Sequence, residues 1–581
     1  MDWIAVITSE DLGWPRGTPE RLRELVSTLP RELTVLKALH FAAALGVDKS
    51  NSYRTVDERL LRGAPDELLR RLDTVKRANP GQVFVFFEPW QQLLLAEHAA
   101  RYGGTAETLV RLETAEGHAQ FLEACRIIND LSMPPATPLT GEPITDALIV
   151  AANVIPRLWL MNPPNINNAI ARLLIFLEEL PRRHPEHTDA AAALRARFME
   201  DLGVSFEDAV ALNAFMGYWS IAPTVDAVLA GPNAVRIDPE IWLRETAIPR
   251  ATFETLLARI AQPIESLSPE APAGAGNPWF DPLSFRDRPL VRFPDGTLTV
   301  TMPEFLMEKA SFEMFWWLTE GPGGAAQRQA WQQAFGRLSE SYVLDLLLEL
   351  ASPDGQGMLP NVRWNGGELD ALLWHGDRLA VVEVSSGFIP NAPKMSGDHI
   401  RLREALRNRY VEHVDTRGET TVEAVAQLAR DIRWLMERRQ AGDLHGVPLR
   451  GIETVHPVLI AADRTVRTQG VWRYLDSELR TRLPERLPWQ VAPLAVLGLE
   501  DLEWIEQASR DRHPRLQQNL PPFLQVLRWW QFDVNRNRAF WQLLVDWLGE
   551  GQPNARLAAV SRAWLERMRG KLRTVPAAPQ G

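Results

Sequence analysis

The strongest constraint in the chain is the β-rich run Glu368-Leu-Asp-Ala-Leu-Leu-Trp-His-Gly-Asp-Arg-Leu-Ala-Val-Val-Glu-Val-Ser385, one face of which is apolar throughout. Apolar residues at every second position are the period of a strand, and Gly376-Asp377 supplies a two-residue type II′ turn with glycine first. The two halves therefore fold back as an antiparallel hairpin. With His375 opposite Arg378, the register pairs Trp374 with Leu379, Leu372 with Val381, Asp370 with Glu383 and Glu368 with Ser385. One face carries Leu369, Ala371, Leu373, Ala380, Val382 and Val384 and is buried. The other is apolar near the turn and acidic far from it. Carboxylates directly across a ladder, with Cβ atoms ~5 Å apart, repel unless a cation or a shared proton lies between them. A hard divalent ion answers this, because Mg²⁺ takes oxygen ligands from one or two carboxylates, water and phosphate.

The surroundings of the hairpin fix its context. Gln327 to Leu350 predicts an amphipathic helix with Trp331, Phe335, Leu338, Tyr342 and Leu346 on one stripe and Glu340 beside it. Asn361 to Trp364 is short and extended, Val422 to Arg439 is helical, and Ile452 to Ala462 and Val491 to Leu497 are apolar strands. In this order and register the region resembles the PD-(D/E)xK nuclease superfamily, whose core is αβββαβ with an acid in the second strand and Glu-x-Lys in the third. The resemblance covers about a third of the chain. It implies a restriction-endonuclease-like α/β domain that cuts DNA or RNA with Mg²⁺ or Mn²⁺. Asp370 and Glu383 would hold the metal, Glu340 matches the acid of the first helix, and Gln427 matches a glutamine that the later helix often offers to the site. Ser385 stands where that family keeps its lysine, and Lys394 is the residue expected to replace it. The alternative is a catalytically inactive nuclease fold that binds nucleic acid or partner proteins in a larger assembly. The whole architecture resembles large bacterial defence effectors, an analogy at the level of the fold.

The rest of the chain is α-rich. At 581 residues it is too long for one core. The expected units are a mostly helical 1–262, offering an interaction platform, a proline-rich linker with a small hairpin and helix over 263–320, the nuclease-like 321–510, and a Trp/Arg-rich helical cap over 511–581. The hairpin is expected from Leu290-Val-Arg-Phe293 and Thr297-Leu-Thr-Val300 around Pro294-Asp-Gly296, and the segment Gln82 to Phe87 has β character. Helix breaks are expected at Met161-Asn-Pro-Pro164 and at Pro181.

A net charge of −11 excludes a molecule coated in positive potential, so nucleic acid would have to meet a local patch. The candidate patch is Arg401, Arg403, Arg407 and Arg409; a second basic segment, Arg556 to Arg573, reads as a solvated face, and the tryptophans Trp529, Trp530, Trp541 and Trp547 as core. One cysteine, Cys125, excludes an internal disulfide and a multi-thiolate zinc site, and its apolar setting makes it a small buried side chain. His184-Pro-Glu-His187 lacks the helical spacing of a zinc site. The start has no signal-peptide pattern and no apolar stretch reaches membrane-spanning length, so the expectation is a cytoplasmic protein acting on DNA or RNA, with protein partners or self-association and no membrane.

Overall fold

The computed structural model describes residues 4–47, 54–80, 82–105, 110–132, 139–161, 166–221, 223, 225–267, 283–311, 314–315, 317, 324–351, 357–365, 367–414, 418–439, 444–533, 539–549 and 554–571. Most of the proline-rich stretch, the loop Gly321-Pro-Gly323, the break at Asn162-Pro-Pro164 and Arg573 lie outside the described residues. Helices dominate, and mixed sheets are set among them. No helix among the described residues is long and apolar enough to cross a membrane.

Near the start, β1 (Ile4–Val6) pairs in parallel with β2 (Val83–Val85), which gives the Gln82 to Phe87 run the extended form its composition suggests. The break expected at Pro181 does not occur: the helix Ile166–Leu174 continues through a π-helical turn, Ile175–Glu179, into Leu180–Arg183, so the proline lies within helix where the wider turn accommodates its missing amide. Helix caps follow local chemistry. Ser205 Oγ accepts the Asp208 amide at 3.1 Å and starts the helix Phe206–Ile221. Four short strands then build one sheet in the order β3 (Arg236–Ile237), β6 (Leu298–Val300), β5 (Leu290–Arg292), β4 (Ala261–Pro263). The β5–β6 hairpin is antiparallel, as the sequence predicts, with Arg292 opposite Leu298.

Apolar side chains gather into two cores. One runs from Val6 to Ile128 and adds Val228, Val235, Ile264, Phe285, Val291, Phe293, Met302 and Phe305. The other begins at Leu148, continues to Met568, and takes Leu290, Leu298 and Val300. The region expected to be a linker is thus, in its described part, a wall between the cores, with neighbouring residues of one strand turned to opposite sides.

The second core contains the larger sheet, in the order β13 (Gln490–Val491), β12 (Thr454–Ala461), β9 (Arg378–Ser385), β8 (Gly367–His375), β7 (Met358–Trp364), with β14 (Ala495–Leu497) also on β12. β8 is antiparallel to both β7 and β9, while β12 runs parallel to β9, β13 and β14. The long helix Gly324–Ala351 precedes β7, and the helix Ala424–Arg438 lies between β9 and β12 in sequence. The predicted stripe Trp331, Phe335, Leu338, Tyr342 and Leu346 is buried throughout. Between β9 and the second helix come the short helix Asn391–Lys394, the helix His399–Tyr410 and a hairpin of β10 (Glu412–Val414) and β11 (Thr420–Val422).

Candidate active site

The hairpin takes the register its alternation dictates: His375 faces Arg378, Trp374 faces Leu379 and Leu372 faces Val381. Gly376 has φ +59°, the left-handed value that the first central residue of a type II′ turn needs. Ladder pairing ends at Ala371 and Val382. One step beyond, in the same register, stand Asp370 and Glu383. There the Asp370 Oδ2 accepts the Val384 amide at 2.6 Å, so a side-chain carboxylate takes the place of a main-chain acceptor as the strands part. On the other side of β8 the pairing with β7 skips Asp370, and Asn361, which would lie across from it, has φ +52°. Asparagine is one of the few non-glycine residues that adopts this conformation readily.

Glu383 is buried, at 7% exposure, and its Oε2 has no hydrogen-bond partner. Burial holds its carboxyl well above the usual range, and the neighbouring Asp370 and Asp431 push it the same way, against the Arg430 guanidinium. Asp370 is pushed up to about 7, chiefly by burial and further by Glu340, Glu368 and Asp431, while the Val384 amide opposes. Glu340, on the helix Gly324–Ala351, is partly buried and also raised, by burial and by Glu368. Five carboxylates, Glu340, Glu368, Asp370, Glu383 and Asp431, thus share one electrostatic neighbourhood. The sequence reading brings Glu340, Asp370 and Glu383 together, puts Glu368 on the same face of the hairpin and omits Asp431.

Asp431 lies on the helix Ala424–Arg438, fully buried, and neither of its oxygens has a hydrogen bond within ordinary length. Its Oδ1 is 3.6 Å from Arg430 Nε. Burial raises it to about 6, opposed by Arg430 and Trp364. A signal for it exists in the sequence: Ala424, Val425, Leu428, Asp431, Ile432 and Leu435 all occur on the buried side of one helix, and an acid in an apolar stripe is the informative exception. Gln427 is one turn earlier on the same helix and partly exposed, so it shares a face with Asp431.

Lys394 is placed differently from expectation. It ends the short helix Asn391–Lys394, 3% exposed, with its ammonium 2.8 Å from Asp463 Oδ2. Asp463 follows β12, is equally buried, and also accepts the amides of Ile389 at 2.7 Å and Thr465 at 2.9 Å. The lysine is therefore engaged in a buried ion pair at the end of the neighbouring strand. The arginines Arg401, Arg403 and Arg407 of His399–Tyr410 are exposed and make surface contacts. Arg401 faces Asp398 at 3.9 Å, Arg403 lies over the Tyr474 ring at 5.7 Å, and Arg407 Nε donates to Glu412 at 3.1 Å.

Other basic and metal-like motifs resolve as structure. In the C-terminal helix Ala555–Met568, Arg556 holds Glu506 and Arg567 holds Glu178, and just beyond it Lys571 holds Asp208, at 2.7 to 3.1 Å. Trp530 is buried, and Trp529 stacks on Trp547 at 4.4 Å. His184 and His187 reach Asp345 at 3.1 Å and Ser341 at 2.7 Å, anchoring themselves to the helix Gly324–Ala351. Burial pushes the Cys125 thiol up to about 12, which makes it inert.

Among the described residues no group of three His, Cys, Asp or Glu side chains is arranged as a ready metal centre. Comparison of the chain with protein-family models, with curated proteins and with solved structures gave no match.

Proposed function

We propose that the domain built on β7–β9 and β12 is a restriction-endonuclease-like phosphodiester hydrolase acting on DNA or RNA, with a divalent cation held by Asp370 and Glu383. What supports this reading is the position of the two acids, each one residue beyond the last paired residues Ala371 and Val382, with the Val384 amide donating to Asp370 and Glu383 Oε2 buried and without a partner. Burying an acceptor without a partner costs about 1–3 kcal/mol, and clustering it with like charges costs more, so the arrangement favours an incoming cation. The donors suit Mg²⁺ or Mn²⁺, being oxygen alone; two carboxylates leave the remaining positions to water and phosphate. Such an ion would activate water and stabilise charge on the phosphoryl group. Glu340 and Asp431 stand close enough in charge to tune the pair.

The second reading, a nuclease fold that binds nucleic acid or protein without cutting, is favoured by one observation: Ser385 replaces the usual lysine and Lys394 is engaged by Asp463. Incubation of the purified full chain with single- and double-stranded DNA and RNA in Mg²⁺ or Mn²⁺ separates the two. The hydrolase reading expects metal-dependent cleavage that Asp370→Asn and Glu383→Gln abolish. Binding without cleavage on every substrate leaves the second reading standing.

A further inference from the structure

We propose that Arg430 supplies the positive charge to the substrate phosphate that a lysine at position 385 would otherwise supply. The assignment rests on the hydrolase reading above. Among the described residues, Lys394, Arg409, Arg430 and Arg363 come near the strand ends or their acids, and Arg363 is a largely exposed partner of Glu368 at 3.1 Å. Lys394 is locked on Asp463. Arg409 lies across Gly387, where even a Cβ would meet its guanidinium, and it faces Glu423. Arg430 faces Glu383 and Asp431.

The seat of Arg430 is built. Its guanidinium is 5.5 Å from the Trp364 ring centroid, and that ring stacks on Trp434 at 5.1 Å and 16°. Trp434 is one turn along the same helix, so arginine and tryptophan clamp the end of β7 together. On β8 the group rests against Gly367: a Cβ there would be 2.5 Å from the Arg430 Nη2. Glycine at this position is what lets the fork lie flat against the strand. The Nε is buried with no hydrogen-bond partner, yet the side chain keeps 28% exposure. A planar guanidinium fixed by stacking, adjacent to a carboxylate pair and still open to solvent, matches the geometry by which arginine grips a phosphate. Its Nε lies 3.6 Å from Asp431 Oδ1, an ion pair without a close hydrogen bond.

The test measures cleavage rate and, separately, the salt dependence of nucleic-acid affinity with Ca²⁺ replacing Mg²⁺. Arg430→Ala should lower kcat/KM by roughly 100-fold and reduce the slope of log affinity against log salt by about 1, because one phosphate contact is lost. Arg430→Lys should keep the slope and recover part of the rate. Gly367→Ala displaces the guanidinium without changing any charge and should move both readouts in the same direction as Arg430→Ala, with thermal melting confirming the fold. A wild type that cleaves, alongside an Arg430→Ala variant with unchanged rate and slope, overturns the assignment and leaves the hydrolase intact. A wild type that binds without cutting, with the slope still dependent on Arg430, removes the hydrolase reading and keeps Arg430 as a phosphate contact. No binding and no cleavage overturns both.

Discussion

Asp370 and Val384 are joined by a hydrogen bond from the Val384 amide to the Asp370 carboxylate, 2.6 Å long, at the point where two strands stop pairing. Because the acceptor is a side chain, its charge controls local stability. The folded carboxyl is raised to about 7 against an unfolded value near 3.9, so the native state holds the proton more tightly and stability falls as pH rises through this window. Asp370→Asn keeps an oxygen for Val384 and removes the charge. In metal-free buffer the variant should melt higher than wild type at pH 8, by a margin that shrinks as pH falls and closes near pH 4. Addition of Mg²⁺ at a hundred times its dissociation constant should stabilise wild type by about 2.7 kcal/mol and leave the variant unmoved. A wild-type melting curve indifferent to Mg²⁺ and Mn²⁺ would count against a cation between Asp370 and Glu383.

Lys394→Ala should act on stability rather than on phosphate chemistry. Truncation leaves Asp463 buried and uncompensated, an effect of about 3–5 kcal/mol measured by urea unfolding at pH 7. Asp463 is held below its usual range despite its burial, by Lys394, Thr465 and Ile389. The stability it gives is therefore present above its unfolded value and lost as pH falls below it, so the gap between wild type and variant should close in acid. A variant as stable as wild type, but catalytically dead, would restore the lysine to the active site.

Glu304 offers a pH test far from the candidate site. It is buried, its Oε2 has no partner, and burial with the nearby Glu308 raises it to about 7. Its sign matches that of Asp370: the ionised form is disfavoured in the fold, so stability declines between about pH 4.3 and 7. Glu304→Gln should raise the melting temperature at pH 8 and make little difference at pH 5. Equal shifts at both pH values would show that the carboxyl is not the cause.

Arg172 ties the helix Ile166–Leu174 to the helix Leu499–Arg510, its Nε 2.6 Å from Glu503 and its Nη1 3.3 Å from Glu500. Glu503 also accepts the Tyr342 hydroxyl at 2.8 Å. Arg172→Met removes the charge that the buried Glu503 and the partly buried Glu500 face, and a loss of about 3–5 kcal/mol in chemical denaturation is expected. An effect below 1 kcal/mol would mean that Arg464 and Arg467, which also face Glu500, suffice.

What the sequence made legible here follows from the range of the forces. The β8–β9 register was readable because a period of two and one glycine turn determine it locally. The helices carrying Glu340 and Gln427 were readable for the same reason, by their apolar stripes. The partner of Lys394 was not, since the lysine end of a short helix and an acid almost seventy residues later meet only through the parallel pairing of β9 with β12. Asp431 and Arg430 escaped notice because their meaning depends on where their helix lands on β9. The small sheet was half legible: its central hairpin is local, whereas β3 and β4 join it from earlier in the chain.

That small sheet has a consequence for any attempt to divide the molecule. Leu290 and Val291 are consecutive, yet each is sealed within a different interior, as are Val300 and Met302 two positions apart. A cut at residue 262 would leave the amino-terminal fragment without Val291, Phe293, Met302 and Phe305 to close its inner surface, and would expose the reverse side of the same ribbon on the other fragment. Neither piece would inherit a finished exterior. The two halves should melt as one cooperative unit, and separately expressed fragments should recover their shape only when mixed.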